Sequence, residues 1–330
     1  MKFAFGPMSS ETIRAVYEYS HENNVELMLI ASKNQIDYDG GYVNNWNTRE
    51  YIAYLQGMKD VYRDSKVLIC RDHCGPGFRA EHKTDCLIDT IHTIKEDCDC
   101  NFDLLHIDLS RFDGDIINGT LKCLEFAREQ NPNIQFEIGT DEIGKGNDLQ
   151  KIEKELEVFH SFDPLYYVVN TGSLVKENYQ AGRFNVDNTL DKVKYLARDY
   201  GIGLKEHNAD YLNKEEIFSR VADFTYVDAM NIAPQLGVVQ TMTVLTEAMK
   251  RGVNVYPFVD LVYNNKKWEK WEAGHLQHNP WLATAVAGHY HYTSDEYNRI
   301  IDEVNKGGAT IQQKIVNNIY EVIHHYVSSV

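Results

Sequence analysis

The chain is predicted to be an α/β protein, a closed (β/α)8 TIM barrel with a mainly helical C-terminal extension, and three observations point there. Short β-rich apolar runs alternate with longer segments of helical period. Eight such alternations occupy about 250 residues, the size of one closed barrel. No strand is followed by GxGxxG or GxxxxGK[ST], the nucleotide turns expected of a competing open, doubly wound sheet.

The eight runs are residues 2–5, 25–31, 66–71, 103–108, 134–138, 165–170, 202–206 and 224–232. Between them, Asp85–Lys95 repeats Leu87, Ile91 and Ile94 at helical spacing. Residues 213–222 open on Asn213 as N-cap, with Glu215 and Glu216 in the first turn where the helix dipole favours anions. Gly139–Gly146 is rich in glycine but lacks the nucleotide spacing, and Asp141 and Glu142 would repel a phosphate, so it reads as a mobile loop. The barrel is assigned to residues 1–251. Residues 252–330 hold Trp268, Trp271 and Trp281 and then a helix at Ile311–Tyr326; with no linker before them, they are expected to pack on the barrel within one domain.

Hydrophobic residues make up 43% and charged residues 25% of the chain, an ordinary globular balance, but the formal net charge is -16. That charge argues against nucleic-acid binding and against a polybasic membrane anchor. It also means that an anionic sugar phosphate would need local Arg, Lys, N–H groups or metal to offset the protein's own field. No 18-residue apolar run occurs, so no membrane span is expected. Cys70, Cys74, Cys86, Cys98, Cys100 and Cys123 show no CxxC spacing, and dispersed thiols in a chain this size fit a reduced cytoplasm.

Catalytic groups of such barrels sit at the C-terminal ends of the strands. Those ends read Ser32-Lys33-Asn34-Gln35, Arg71-Asp72-His73, His106-Ile107-Asp108, Glu137, Asn170-Thr171, Glu206-His207-Asn208 and Asn231. Asp72-His73 is the sharpest pair: a neutral imidazole can hold a divalent metal, and the adjoining carboxylate can move a proton. The plain alternative is a structural pair closing a turn with Cys74-Gly75-Pro76-Gly77. His207 is the second imidazole, and Glu137 offers a hard oxygen as third ligand. Glu206 falls on the face opposite His207 by strand alternation. His289 and His291 alternate as in a half-buried strand or loop, His324 and His325 cannot share one helical face, and His82 and His92 lie in helical territory. None of these six is expected to bind the metal. Lys33 and Lys205 lack the apolar flanks that would depress an amine for Schiff-base chemistry, and G-x-S-x-G is absent.

Taken in order, these motifs resemble the so-called non-catalytic Z subunits of class II tagatose-1,6-bisphosphate aldolase. The resemblance runs through Ser32-Lys33-Asn34-Gln35, Gly40-Gly41-Tyr42, Asp72-His73-Cys74-Gly75-Pro76, His106-Ile107-Asp108, Ile138-Gly139-Thr140-Asp141, His207-Asn208-Ala209-Asp210-Tyr211 and Ala233-Pro234-Gln235-Leu236. It covers most of the chain, and the combination is more specific than any piece. The resemblance implies a (β/α)8 barrel with a divalent metal, zinc by analogy with true class II aldolases, on His73 and His207. The third aldolase histidine would fall near Thr171 and is missing; Glu137, in Glu137-Ile138-Gly139, is similar to a glutamate that class II aldolases carry before their mobile loop, and the resemblance makes it the expected replacement. The glycine-rich phosphate turn after the last metal histidine is replaced by Asn208-Ala209-Asp210; Arg71, Arg79, Arg111 and Arg183 are open as compensating cations.

The expected function is thus a metal-dependent carbohydrate enzyme acting on a ketose or sugar phosphate, by aldol cleavage or by C4 epimerisation through retro-aldol and aldol steps. Asp72, Glu137 and Asp141 are the candidate catalytic groups; Asn34, Gln35, Arg71, Asp108, Asn170, Asp210 and Asn231 are the candidate substrate contacts. The competing expectation is a silent subunit stabilising a separate aldolase chain, and an isomerase of unphosphorylated or nucleotide-linked sugars is a third. A homo-oligomer is expected.

Overall fold

The computed structural model describes residues 1–79, 86–141, 148–185, 188–221, 226–306, 308 and 310–330. The eight predicted runs become one closed parallel barrel: β1 (Lys2–Phe5), β2 (Glu26–Ser32), β3 (Lys66–Cys74), β4 (Leu104–Ile107), β5 (Gln135–Thr140), β6 (Tyr166–Val169), β7 (Gly203–Glu206) and β8 (Ala229–Ile232). Each strand pairs with its sequence neighbours. The barrel shuts where β1 meets β8 in register from Lys2↔Ala229 to Phe5↔Ile232. β3 runs three residues past its expected end, so Asp72-His73 lies inside a strand. The last strand starts at Ala229, later than the expected residue 224, and residues 222–225 lie outside the described residues.

Helices follow the strands: α1 (Ser10–Asn23), α2 (Thr48–Val61), α3 (Leu87–Asp99), α4 (Ile116–Gln130), α5 (Leu149–Phe159), α6 (Thr189–Asp199), α7 (Lys214–Val221) and α8 (Pro234–Lys250). Their starts obey local chemistry. Asn47 and Glu50 close a capping box on α2, and Asn213 does the same with Glu216 on α7, its Oδ1 accepting from the Glu216 N–H at 2.9 Å. The apolar repeat 87, 91, 94 belongs to α3; Asp85 lies outside the described residues, as do residues 142–147 of the expected mobile loop and His82. The long loop after β6 carries a hairpin, Val175–Lys176 with Tyr179–Gln180, that no sequence pattern announced.

Beyond the barrel come α9 (Tyr256–Asn265), α10 (Pro280–Ala287), α11 (Asp295–Asn305) and α12 (Ile311–Val327). α12 lies against α1 and α8; Tyr320 meets Tyr19 with ring centres 4.8 Å apart, and the Tyr326 hydroxyl donates to the Ala209 carbonyl at 2.8 Å. His289 and His291 lie in a short 3-10 turn, Gly288–His291, where a strand or loop was expected. His324 and His325 sit on α12, where they reach the Tyr19 hydroxyl and the Leu212 carbonyl. All six cysteines are free, five of them buried. Among the described residues no helix is long and apolar enough to cross a membrane.

Two apolar bodies result from the alternation of strand side chains. The larger fills the space between strands and helices. The smaller fills the barrel's interior with Ala4, Met28, Ile30, Cys70, Leu104, Tyr166 and Ala229. The interior turns polar toward the C-terminal rim. Glu137 on β5 and Lys205 on β7 form a fully buried ion pair, and beyond them come Asp72, His106, His207 and Asn231.

Candidate active site

Neighbouring residues of a strand ordinarily face opposite sides. Arg71 and Asp72 obey this, but His73 does not: its backbone takes φ +44° at an irregularity in the β3–β4 register between Arg71 and Cys74. A left-handed, non-glycine residue is strained by roughly 1–3 kcal/mol. The bulge turns the imidazole back toward the mouth, so that Asp72 and His73, adjacent in sequence, reach the same place. There the ring stacks on Phe78, 4.7 Å between centres, and Phe78 lies under the Arg111 guanidinium.

Donor atoms of Asp72, His73, His106 and His207 all lie within 4.8 Å of one another. The tightest triangle joins His73 Nε2 to His207 Nδ1 at 3.3 Å and both to Asp141 Oδ1, at 3.6 and 3.7 Å. Asp72 Oδ1 sits 3.9 and 3.8 Å from the same two nitrogens. Bonds of about 2.0–2.1 Å to a tetrahedral ion separate neighbouring donors by about 3.3–3.4 Å. His73, His207 and Asp141 match that spacing within a few tenths of an ångström. Asp72 Oδ1 and His207 Nε2 are buried without a hydrogen-bond partner. The donor set fits a small divalent cation.

Two of these three donors are fixed from behind. Asp108 Oδ2 accepts from His73 Nδ1 at 2.8 Å and from the Thr140 hydroxyl at 3.0 Å, while its Oδ1 takes the Ser110 N–H. The ring thereby offers Nε2 to the cluster. Asp141 Oδ2 accepts from the Asn208 amide at 2.6 Å. His106 accepts the His73 N–H at Nδ1 and donates from Nε2 to the Gly139 carbonyl, so its lone pair is engaged. Asp108→Asn is expected to weaken metal binding by about 10- to 100-fold with the fold intact, as read by competition with a chelating indicator. Unchanged affinity would leave the carboxylate without that role.

The electrostatics follow from crowding. Burial opposes charge on His73, but Asp72, the hydrogen bond to Asp108 and Asp141 outweigh it and push the imidazolium up to about 10. Burial drives His207 well below its ordinary value, Asp72 opposing and His73 assisting. Burial would raise Asp72, but His73, His207 and His106 hold it below the usual carboxylate range. Without metal, then, His73 is held protonated, with its Nε2 3.3 Å from His207 Nδ1. A metal must displace that proton from His73. Apparent affinity should therefore rise about tenfold per pH unit below about 10 and level off above, because raising the pH removes the competitor. A titration flat between pH 6 and 8 would contradict this arrangement.

Several expected contacts are placed elsewhere. Arg71 faces outward, fully buried between barrel and helices; its guanidinium grips both oxygens of Asp97 on α3 at 2.7 and 2.6 Å and donates to the Ala31 and Ile36 carbonyls. Strand alternation keeps it from the barrel mouth. Glu137 is not among the gathered donors, because the Lys205 ammonium takes its carboxylate inside the barrel. Gln35 is tied to Ser32 and the Pro7 carbonyl, and Asn34 donates to the Phe78 carbonyl. Asn170 caps its own loop by accepting the Gly172 N–H. Asp108, with both oxygens committed, holds His73. Asp210 Oδ1 accepts the N–H groups of Ala233 and Gln235 at the start of α8, and burial, against those bonds, raises the group to about 7. Asn231 faces inward with its Oδ1 buried and unpartnered. Sequence reasoning overlooked His106 as part of the cluster and Lys205 as the partner of Glu137. Alternation on β7 was the available signal, since it sends Lys205 and His207 to one face.

No protein-family model and no curated protein sequence matches the chain. Solved structures do match in fold. One described as a probable tagatose 6-phosphate kinase from Sinorhizobium meliloti 1021 superposes with a TM-score of 0.82 over 99% of both chains at 14% identity. A fructose-bisphosphate aldolase from Campylobacter jejuni gives 0.62 at 13% identity, over 99% of this chain and 88% of its own. A fructuronate-tagaturonate epimerase from Cohnella laeviribosi gives 0.55 at 10% identity, over 99% and 78%. The chain shares the (β/α)8 architecture of these aldolase- and epimerase-type barrels.

Proposed function

We propose that the chain is a metal-dependent carbohydrate enzyme that breaks and remakes, or simply breaks, the C3–C4 bond of a ketose. The observation that carries this reading is the triangle of His73 Nε2, His207 Nδ1 and Asp141 Oδ1 at tetrahedral spacing, with Asp72 Oδ1 beside it at the catalytic rim of the barrel. Three protein ligands leave a position open, as catalytic zinc sites do. Zinc suits two imidazoles and a carboxylate, and when bound it supplies a positive charge opposite the oxygen that gains charge as the bond breaks.

The chain's own groups do the rest. Asp72 stays ionised through the neutral range and accepts the proton of the C4 hydroxyl at Oδ1. Asp108 and Asn208 keep the His73 and Asp141 donors aimed, so that little reorganisation accompanies the reaction. If the aldehyde fragment leaves and C3 of the remaining enediolate takes up a proton from water, the outcome is aldol cleavage. If the aldehyde turns over, C3 re-adds to it and Asp72 returns the proton to the C4 oxygen, the outcome is the C4 epimer. Neither route needs a redox cofactor. The fold of the tagatose-related, aldolase and epimerase structures supports this class of chemistry. Metal content of the protein purified alone, followed by NMR of ketoses and ketose phosphates incubated with it in heavy water, tests the reading. Epimer or triose in the spectrum supports it. A protein that takes up no divalent metal and leaves every ketose unchanged would fit a silent subunit and sink it.

A further inference from the structure

In (β/α)8 enzymes a phosphate is commonly seated beyond strands 7 and 8, on N–H groups at the start of a helix. Here that helix is α8, and its seat is filled. Asp210 Oδ1 accepts from the Ala233 N–H at 3.0 Å and the Gln235 N–H at 2.8 Å. Pro234 has no N–H to give, and the Leu236 N–H turns back to the Ala233 carbonyl at 3.1 Å. Asp210 is only 1% exposed, and its own carbonyl is tied down by the Gln180 amide. A carboxylate anchored to the chain stands where a phosphoryl group would lie. The volume is taken whether Asp210 is ionised or not.

The surroundings agree. Among the described residues, three of the arginines that the sequence offered for phosphate are engaged: Arg71 with Asp97, Arg79 with Asp37 and Asp39, and Arg111 with the Gly77 carbonyl and the Phe78 ring. The carboxylates of Asp72 and Asp141 face the reacting position. Asn231, on the inner face of β8, keeps a buried amide oxygen unpartnered, an acceptor suited to a hydroxyl donor.

Resting on the metal-centred reading above, we infer that the substrate is a ketose with no phosphate on its β7–β8 side, an uncharged polyol end held by hydrogen bonds. Calorimetry on the metal-loaded protein tests this, with D-tagatose and D-fructose set against their 6-phosphates and inorganic phosphate. The free ketose should bind at least about tenfold tighter than its 6-phosphate, and inorganic phosphate should not compete. Asp210→Gly, which empties the seat, should admit inorganic phosphate and narrow that preference. Asp210→Asn, which keeps the seat filled without charge, should retain it and serves if the glycine variant does not fold. A 6-phosphate that binds wild type tighter than its parent, or phosphate that displaces the ketose, overturns the inference and leaves the metal-centred reading standing. A metal-loaded protein that binds neither form of ketose defeats that reading, and the inference with it.

Discussion

His73→Ala and His207→Ala should each strip the divalent metal and lower ketose turnover by about a thousandfold or more. Charge stabilisation by a catalytic metal amounts to several kcal/mol, and each 1.4 kcal/mol is a factor of ten. The two imidazoles contribute the shortest edge of the donor triangle, 3.3 Å, so neither loss can be made good by the other. The variants should nonetheless fold. His73 keeps only 18% of its side chain exposed but lies at the mouth, outside the packed core, and His207, though buried, carries little hydrogen bonding beyond the cluster. Equal metal content in wild type and both variants, by elemental analysis after dialysis, would show that the cation sits elsewhere. Normal turnover in either variant would remove the mechanism.

Arg71→Met should destabilise the protein by about 3–5 kcal/mol without touching the chemistry, because Asp97 would be left as an unpaired charge in a sealed layer. The midpoint of denaturant unfolding is the measure. Adding Asp97→Leu should recover part of the loss. The remainder would come from the Ala31 and Ile36 carbonyls, which lose the donor they now share. If Arg71→Met instead unfolded at the wild-type midpoint and lost ketose binding, the guanidinium would belong to the substrate after all.

The contrast between these two residues shows how far the sequence could be read. Both stand at the end of β3, both polar, two positions apart. The alternation of apolar runs located all eight strands because barrel strands are buried on both faces and flanked by amphipathic helices. It could also sort Lys205 from Glu206, since regular pleating fixes their faces. It could not place His73, because a bulge suspends alternation and no residue type announces one. Nor could composition tell a catalytic arginine from one buried against an acidic partner, as the partner, Asp97, lies on a helix 26 residues on. Asp141 was visible as a carboxylate at the exit of β5. Its place in the donor triangle depends on Asn208, from another strand end, and such long-range pairs leave no local trace.

Gly75 follows that bulge, and its α-carbon runs so close to the next strand that a methyl group there would lie 1.6 Å from the Asp108 carbonyl oxygen. Two side chains that are neighbours along the chain can reach one place at the barrel mouth only while this crossing stays open. Alanine at 75 would push β3 and β4 apart, disable the cluster without altering any of its members, and leave a barrel that still holds most of its core. The donor cluster is thus secured by the smallest side chain in its vicinity, and a survey confined to polar substitutions would pass over the position that decides whether it assembles.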